Sequence, residues 1–125
     1  MFNNPITLPS EFEFELEFTQ SASSNYITVM IGETSSNFYY NGFGNSKQLT
    51  MAISRNNNRD VLVNDDSHQN LVTDSVKVGY DGTQMYVTAN NRTITSNNSE
   101  YSLEKFLGLL WGGSSTIHSI AINKL

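Results

Sequence analysis

An eight-residue stretch near the amino terminus alternates without exception between glutamate and a large apolar residue. It runs from Glu11 to Phe18 and reads Glu-Phe-Glu-Phe-Glu-Leu-Glu-Phe. Successive side chains of a β-strand point to opposite faces, so a strand gathers the apolar residues on one face and the glutamates on the other. A helix would spread both sets around its circumference. The stretch therefore predicts a strand with one face in a hydrophobic core and one in solvent.

Shorter apolar runs continue along the chain at intervals of about 8–12 residues. Turn-forming pairs separate them, among them Asn41-Gly42, Asp81-Gly82 and Asn90-Asn91. We predict roughly ten short strands. One of these strands, Phe38–Tyr40, ends at the Asn41-Gly42 turn. In addition, we predict a single helical turn over Leu103–Phe106. This spacing, with almost no helix, favours an all-β sandwich or barrel of antiparallel strands.

The composition excludes several classes of protein. The 125 residues include no cysteine, so disulfides, thiolate metal sites and a cysteine nucleophile are excluded. The net charge of −5 disfavours a nucleic-acid partner. No apolar run approaches the roughly 20 residues of a membrane span, and the amino terminus has no signal-peptide pattern. We interpret residues 1–125 as a single domain, either complete or excised from a larger protein.

Catalytic chemistry has little support in the sequence. The two histidines, His68 and His118, accompany no Gly-x-Ser-x-Gly motif, and they are too few for a zinc site without cysteine. Alternate glutamates of one strand would lie about 6.5–7 Å apart, within the range of a glycosidase carboxylate pair. We interpret the glutamate row as a solvated outer face. A small glycosidase that uses this row stays as an alternative.

Residues 60–66 contain several side chains with the oxygen atoms that a calcium site requires. Asn64-Asp65-Asp66 supplies oxygen ligands, and Asp60 lies nearby in the sequence. Calcium takes six to eight oxygen ligands, whereas Asn and Asp also form turns by bonding to the nearby backbone. We interpret these residues as turn formers and predict no metal and no cofactor.

Asn, Ser and Thr together occupy 43 of the 125 positions. A saccharide offers C–H faces to aromatic rings and hydroxyls to amides, carboxylates and hydroxyls, so its site needs an exposed aromatic residue among such groups. Two stretches meet this need, residues 37–45 and residues 111–115. Tyr39 and Tyr40 are adjacent, so one of the two faces outward if they lie on a strand. The predicted stacking platforms and hydrogen-bonding partners are Tyr39, Tyr40, Trp111, Asn41, Asn45 and Asp81.

Three segments, taken in order, resemble concanavalin-A-like or laminin-G-like jelly rolls. Leu8–Phe18 is similar to their first strand, Val76–Val87 to a Gly-containing hairpin and Ile117–Leu125 to their closing strand. The resemblance implies an antiparallel two-sheet jelly-roll β-sandwich. The calcium motif of legume lectins and the Glu-x-Asp-x-x-Glu pattern of related glucanases are both missing from the sequence.

This compact, Asn- and Ser-rich sequence also resembles the jelly-roll carbohydrate-binding modules of bacteriophage tail and baseplate proteins. This resemblance implies a virion-tail module that attaches to host cell-wall saccharide outside the cell, beside other tail or baseplate subunits. We therefore expect a non-enzymatic glycan binder without a nucleic-acid or membrane partner. The alternatives are a virion assembly module that binds only protein, marked by a flat apolar patch, and the glycosidase, marked by converging carboxylates.

Overall fold

The computed structural model describes residues 4–19, 26–44, 48–65, 71, 73–97, 99–112 and 116–125. These residues form strands, turns and irregular segments, and they include no helix that could cross a membrane. The strands, in chain order, are β1 (Ile6–Thr7), β2 (Phe12–Thr19), β3 (Ile27–Thr34), β4 (Asn37–Gly44), β5 (Gln48–Arg55), β6 (Asn58–Asn64), β7 (Ser75–Tyr80), β8 (Met85–Ala89), β9 (Arg92–Ser96), β10 (Lys105–Trp111) and β11 (Thr116–Lys124).

The strands form two antiparallel sheets. The six-stranded sheet has the order β1-β10-β3-β4-β5-β6, and the five-stranded sheet has the order β11-β2-β7-β8-β9. Both sheets therefore combine strands from the beginning and the end of the described chain. This arrangement confirms the predicted all-β fold of two antiparallel sheets.

Strand β2 supplies the centre of the core between the sheets. Its four apolar side chains are at most 1% exposed, while its glutamates are half-buried or exposed on the opposite face. The ring centres of Phe14 and Phe106 lie 4.7 Å apart, and those of Phe18 and Phe43 lie 6.1 Å apart. Both contacts join the five-stranded sheet to the six-stranded sheet. The alternation in the sequence therefore predicted the buried face of β2 correctly.

Two asparagine pairs form tight turns, and one of them, Asn90-Asn91, is a turn that the sequence analysis predicts. Asn56 and Asn57 have φ angles of 52° and 68° between β5 and β6. Asn90 and Asn91 have φ angles of 50° and 63° between β8 and β9. Asparagine tolerates this left-handed conformation, and two consecutive positive φ angles match the twist of antiparallel hairpins.

The predicted turn at Asn41-Gly42 is wrong, because both residues lie inside β4. Gly42 pairs with β3 on one side and with β5 on the other. A Cβ atom at Gly42 would collide with the backbone of Ile27 in β3. Gly42 therefore permits the close approach of β3 and β4, which is a reason for glycine inside a sheet that is distinct from turn formation.

The predicted helical turn over Leu103–Phe106 is also wrong. Residues 102–104 have no regular structure, and β10 begins directly after them. The backbone N–H of Leu8 donates to the Glu104 oxygen at 2.7 Å, and Phe106 pairs with Ile6 of β1. Pairing with β1 satisfies backbone groups that a helical turn would have satisfied internally.

Candidate functional site

A groove crosses the outer face of the six-stranded sheet, which is the face turned away from the core. The register aligns Leu110, Thr28, Gly42, Thr50 and Asn64 across five neighbouring strands. Around this line lies a cavity of about 280 Å³, which we name the Tyr40 groove. Its lining consists of Tyr26, Thr28, Tyr40, Gly44, Gln48, Thr50, Ala52, Arg59, Val61, Asn64 and Leu110.

Two glycines follow Tyr40 at alternate positions of β4. Gly42 and Gly44 lie on the same face as Tyr40, since side chains alternate along a strand. A Cβ atom at Gly44 would lie 2.8 Å from Cγ2 of Thr50. Glycine at these two positions therefore lets atoms of the neighbouring strands β3 and β5 approach β4 closely, and Gly44 itself belongs to the groove lining.

The polar groups of the groove are held in place by hydrogen bonds across the strands. The Thr28 hydroxyl donates to the Leu110 carbonyl oxygen at 3.2 Å. The Thr50 hydroxyl donates to Oδ1 of Asn64 at 2.6 Å, which leaves the two amide N–H donors of Asn64 for other partners. Oε1 of Gln48 is buried and accepts no hydrogen bond from the described residues.

Tyr40 forms one aromatic wall of the groove and is partly exposed. It packs against the apolar residues Met30, Phe38 and Leu107, which are buried on the same outer face. Cζ of Arg59 lies 5.8 Å from the centre of the Tyr40 ring, a cation–π distance. Burial raises the pKa of Tyr40, although the charge of Arg59 opposes this effect, so the phenol is neutral and able to donate at physiological pH.

Tyr26 is a second, partly exposed aromatic side chain in the lining. The Gly112 N–H donates to the Tyr26 carbonyl oxygen at 3.1 Å. A Cβ atom at Gly112 would lie 2.7 Å from Cε1 of Tyr26, so the ring depends on glycine at this position. The groove therefore combines two tyrosine rings with hydroxyl and amide groups.

Two predicted site residues lie in the core and not at the surface. Tyr39 is 0% exposed and Asn41 is 1% exposed, because both belong to the face of β4 that points to the five-stranded sheet. The Tyr39 hydroxyl accepts the Tyr101 N–H at 3.1 Å, and the Asn41 amide donates to the Met85 sulfur at 3.4 Å. A buried ring offers no face to a saccharide, and a buried amide offers it no hydrogen bond. Neither Tyr39 nor Asn41 therefore belongs to the candidate site.

Trp111 and Asp81 lie at opposite ends of the sandwich. Asp81 follows β7, beside the first residue of β2, Phe12. Trp111 lies at the level of Phe43, whose ring contacts Phe18 near the far end of β2. The strand between Phe12 and Phe18 spans roughly 20 Å. The structure therefore does not bring these two predicted residues into one site.

Of the other predicted residues, Trp111 is 53% exposed but lies outside the groove lining. Oδ1 of Asp81 accepts the N–H groups of Thr83 and Gln84, each at 2.9 Å. These bonds lower the pKa of the Asp81 carboxyl and close the turn between β7 and β8. Asn45 lies outside the described residues. Tyr40 is therefore the one predicted residue that the structure places in the groove.

The glutamate row occupies the outer face of the five-stranded sheet, away from the Tyr40 groove. Glu13 accepts a hydrogen bond from Tyr86 at 2.7 Å and lies 3.6 Å from the Lys77 ammonium group. Glu15 and Glu17 line a separate cavity together with Asp74 and His118. The described lining of that cavity has no exposed aromatic ring for a sugar, and the described lining of the Tyr40 groove has no carboxylate.

The possible calcium ligands have structural roles where the structure describes them. Asn64 accepts the Thr50 hydroxyl, and the Asp65 N–H donates to the Leu49 oxygen at 3.1 Å. Asp60 pairs with Arg55 at 3.2 Å. Asp66 and His68 lie outside the described residues, and the described part contains no cluster of three acidic or histidine side chains suited to a metal.

The large exposed apolar side chains of the described residues lie on several elements and do not form one flat patch. Ile6 and Val61 lie on β1 and β6, at opposite edges of the six-stranded sheet. Ile120 and Ile122 lie on β11, an edge strand of the other sheet. Val61 is part of the groove lining, where it adds an apolar edge to the polar floor.

Sequence reasoning missed most of the groove. Thr28, Thr50, Asn64 and Arg59 come from three separate strands, and only the register shows that they meet. One signal was available, namely the alternate glycines after Tyr40. Two such glycines on the face of an aromatic residue indicate that a ligand or another part of the chain approaches the backbone beside its ring.

Comparisons with known proteins show a likeness in fold. No family model matches the sequence, and no curated protein matches it. Chicken galectin 2 is similar in structure with a TM-score of 0.68 at 15% identity, covering 98% of this chain and 96% of that one. The ancestral congerin Con-anc has a TM-score of 0.65 at 9% identity, covering 97% and 96% of the two chains. CG-16, a homodimeric agglutinin from chicken liver, has a TM-score of 0.59 at 12% identity, covering 96% and 95%. The chain therefore has the two-sheet jelly-roll fold that these proteins share, as the sequence predicts.

Proposed function

We propose that this chain is a carbohydrate-binding module that holds a short saccharide in the Tyr40 groove without catalysis. The observation that carries the proposal is the groove itself, in which two tyrosines border a floor of threonine hydroxyls and an asparagine amide. C–H faces of a sugar pack on such rings, and its hydroxyls bond to such groups. The volume of about 280 Å³ suits a small ligand.

Two further observations support the proposal. The proteins of similar fold reported above are galectins and an agglutinin, which are lectins. The described lining of the groove also has no pair of carboxylates, which glycoside hydrolysis by the usual acid and nucleophile requires. A groove this small buries little ligand surface, so we expect weak binding at one site and useful adhesion only from many copies.

The setting on a bacteriophage tail is the finer part of the proposal. It rests on the resemblance of the Asn- and Ser-rich sequence to tail and baseplate modules, and on the need for many copies. In this setting the ligand is a saccharide of the host cell wall and the neighbours are other tail subunits. Binding to purified host wall polysaccharide, compared with animal glycans, is the measurement that separates this setting from that of an animal lectin.

Calorimetry with saccharides first identified on a glycan array tests the groove. Tyr40→Leu keeps apolar packing against Phe38 but removes the ring, so we expect the affinity to fall roughly tenfold, or about 1.4 kcal/mol. Trp111→Ala is the matched control, because it removes an exposed aromatic ring outside the groove lining. Equal losses in both variants, or a loss only in the Trp111 variant, would place the site elsewhere. Failure of the unmodified chain to bind any saccharide would contradict the proposed function.

A further inference from the structure

The Tyr40 groove contains one charged side chain among its described lining residues, Arg59. Arg59 lies on β6 opposite Ser54 and is exposed. Ser54 pairs in turn with Phe38, the residue two positions before Tyr40 on the same face of β4. Arg59 therefore borders the groove at the end where the apolar residues beneath Tyr40 begin.

The Arg59 guanidinium lies over an aromatic ring and forms no ion pair with a described carboxylate. Its Cζ lies 5.8 Å from the centre of the Tyr40 ring. The ion pairs of the described residues involve Arg55 with Asp60 and Glu100, and Lys77 with Glu13, but not Arg59. Asp60 and Glu100 thus pair with Arg55, while the five N–H donors of Arg59 form no ion pair with a described residue.

We propose that the groove is selective for acidic saccharides, in which a sugar carboxylate bonds to Arg59 while the rest of the ring occupies the space beside Tyr40. This inference rests on the proposed function and names the class of ligand. A planar guanidinium matches a carboxylate through two parallel hydrogen bonds. A neutral sugar would make no ion pair with Arg59, the one charged residue of the described groove lining.

The charge of the whole chain limits the ligand further. The net charge is −5, and the outer face of the five-stranded sheet carries Glu13, Glu15 and Glu17. The net negative charge disfavours a polymer with a sulfate on nearly every residue, whereas a single carboxylate needs only the short-range contact with Arg59. The expected ligand is therefore a saccharide with isolated carboxylates and not a dense polyanion.

Matched pairs of saccharides test this inference on the whole chain. Each hexuronic acid of the gluco, galacto and manno series is compared with its methyl ester, which keeps the ring and removes the charge. We expect at least one acid to bind roughly tenfold more tightly than its ester. The preference should disappear in Arg59→Gln and survive in Arg92→Gln, a matched control on the five-stranded sheet.

The outcomes separate the two proposals. Binding of neutral saccharides without any preference for the acid overturns the selectivity and leaves the carbohydrate-binding function standing. A preference for the acid that survives Arg59→Gln also overturns the inference, because the sugar carboxylate would then bind to a residue other than Arg59. Stronger binding of a polysulfated chain than of any uronic acid contradicts the expected ligand class. Absence of binding to every saccharide overturns both proposals.

Discussion

Adjacent residues on β4 have opposite fates, because a strand turns successive side chains to opposite faces. Tyr39 is buried between the sheets and Tyr40 borders the groove. The sequence showed that one of the two faces outward but not which one, since each is an aromatic residue in a run of three. The burial of Asn41 could not be predicted either, because an amide in the core is contrary to the usual distribution of polar residues.

Tyr39 provides a prediction about stability. Its hydroxyl accepts the Tyr101 N–H at 3.1 Å, and burial raises the pKa of this phenol. Tyr39→Phe leaves that N–H without its acceptor, so we expect a loss of about 1–2 kcal/mol in the free energy of unfolding. Tyr80→Phe is the control, because its exposed bond to the Gly82 oxygen is replaced by water. Urea denaturation measures both, and equal stability of the two variants would contradict this role of Tyr39.

Asp81 provides a prediction about pH. Hydrogen bonds from Gln84 and Thr83 lower its pKa below the ordinary value of 3.8 in the folded state. A carboxyl whose folded pKa is lowered stabilises the fold above its unfolded pKa, and this contribution is lost as the pH falls through the folded pKa. Asp81→Asn keeps an oxygen acceptor but does not titrate. We therefore expect the wild-type chain to lose its advantage over Asp81→Asn between neutral pH and pH values below 3.8.

Urea midpoints of the two chains, measured side by side at neutral and acidic pH, test this expectation. The comparison cancels the titration of the other carboxyl groups, which both chains share. Asp81→Ala should be less stable than Asp81→Asn at both pH values, because it has no acceptor for the two turn N–H groups. A difference between wild type and Asp81→Asn that does not change with pH would show that the charge of Asp81 has no part in the turn.

At the scale of the strands, a set of side chains connects β2, β7 and β8. Glu13, Gly79 and Tyr86 lie side by side on the outer face of the five-stranded sheet. The Tyr86 ring lies over Gly79, and its hydroxyl donates to Glu13 at 2.7 Å. Burial and this bond raise the pKa of Tyr86. Glycine in the middle of β7 thus allows a cross-strand contact that spans three strands.

Gly79→Ala tests this connection. A Cβ atom at this position would lie 2.7 Å from Cε1 of Tyr86, so the ring must move away from Glu13. Alanine gains roughly 0.5–1 kcal/mol over glycine in a strand, whereas crowding costs about 1–3 kcal/mol. We therefore expect a net loss of stability, measured by thermal or urea unfolding. The loss should shrink in a Tyr86→Ala background, and an equal loss in both backgrounds would contradict the proposed contact.

Strand prediction succeeded where the pattern of side chains was unambiguous. The alternation of Phe and Glu in β2, and the paired asparagines between hairpin strands, both agree with the structure. It failed at Asn41-Gly42 and at Leu103–Phe106, where the chain is extended because neighbouring strands supply hydrogen-bond partners. Those partners are distant in sequence, so a local pattern could not reveal them.

At the scale of the whole molecule, the topology decides which residues share a surface. Trp111 and Asp81 were predicted as parts of one site, yet they lie at opposite ends of the sandwich. Thr28, Thr50 and Asn64 are far apart in sequence, yet they form one line across the sheet. The jelly-roll fold was predictable from the order of three motifs, whereas the groove depends on the register of five strands.

The most direct test of the account is a backbone amide NMR titration of the uniformly labelled chain with a saccharide that binds on the array. Chemical-shift changes report where the ligand lies without any substitution. We predict that the largest changes occur at Tyr40, Gly44, Thr50 and Arg59, while the Asp81 turn is unchanged. Changes concentrated at the Asp81 turn or on the five-stranded sheet, with the Tyr40 groove unaffected, would contradict the account.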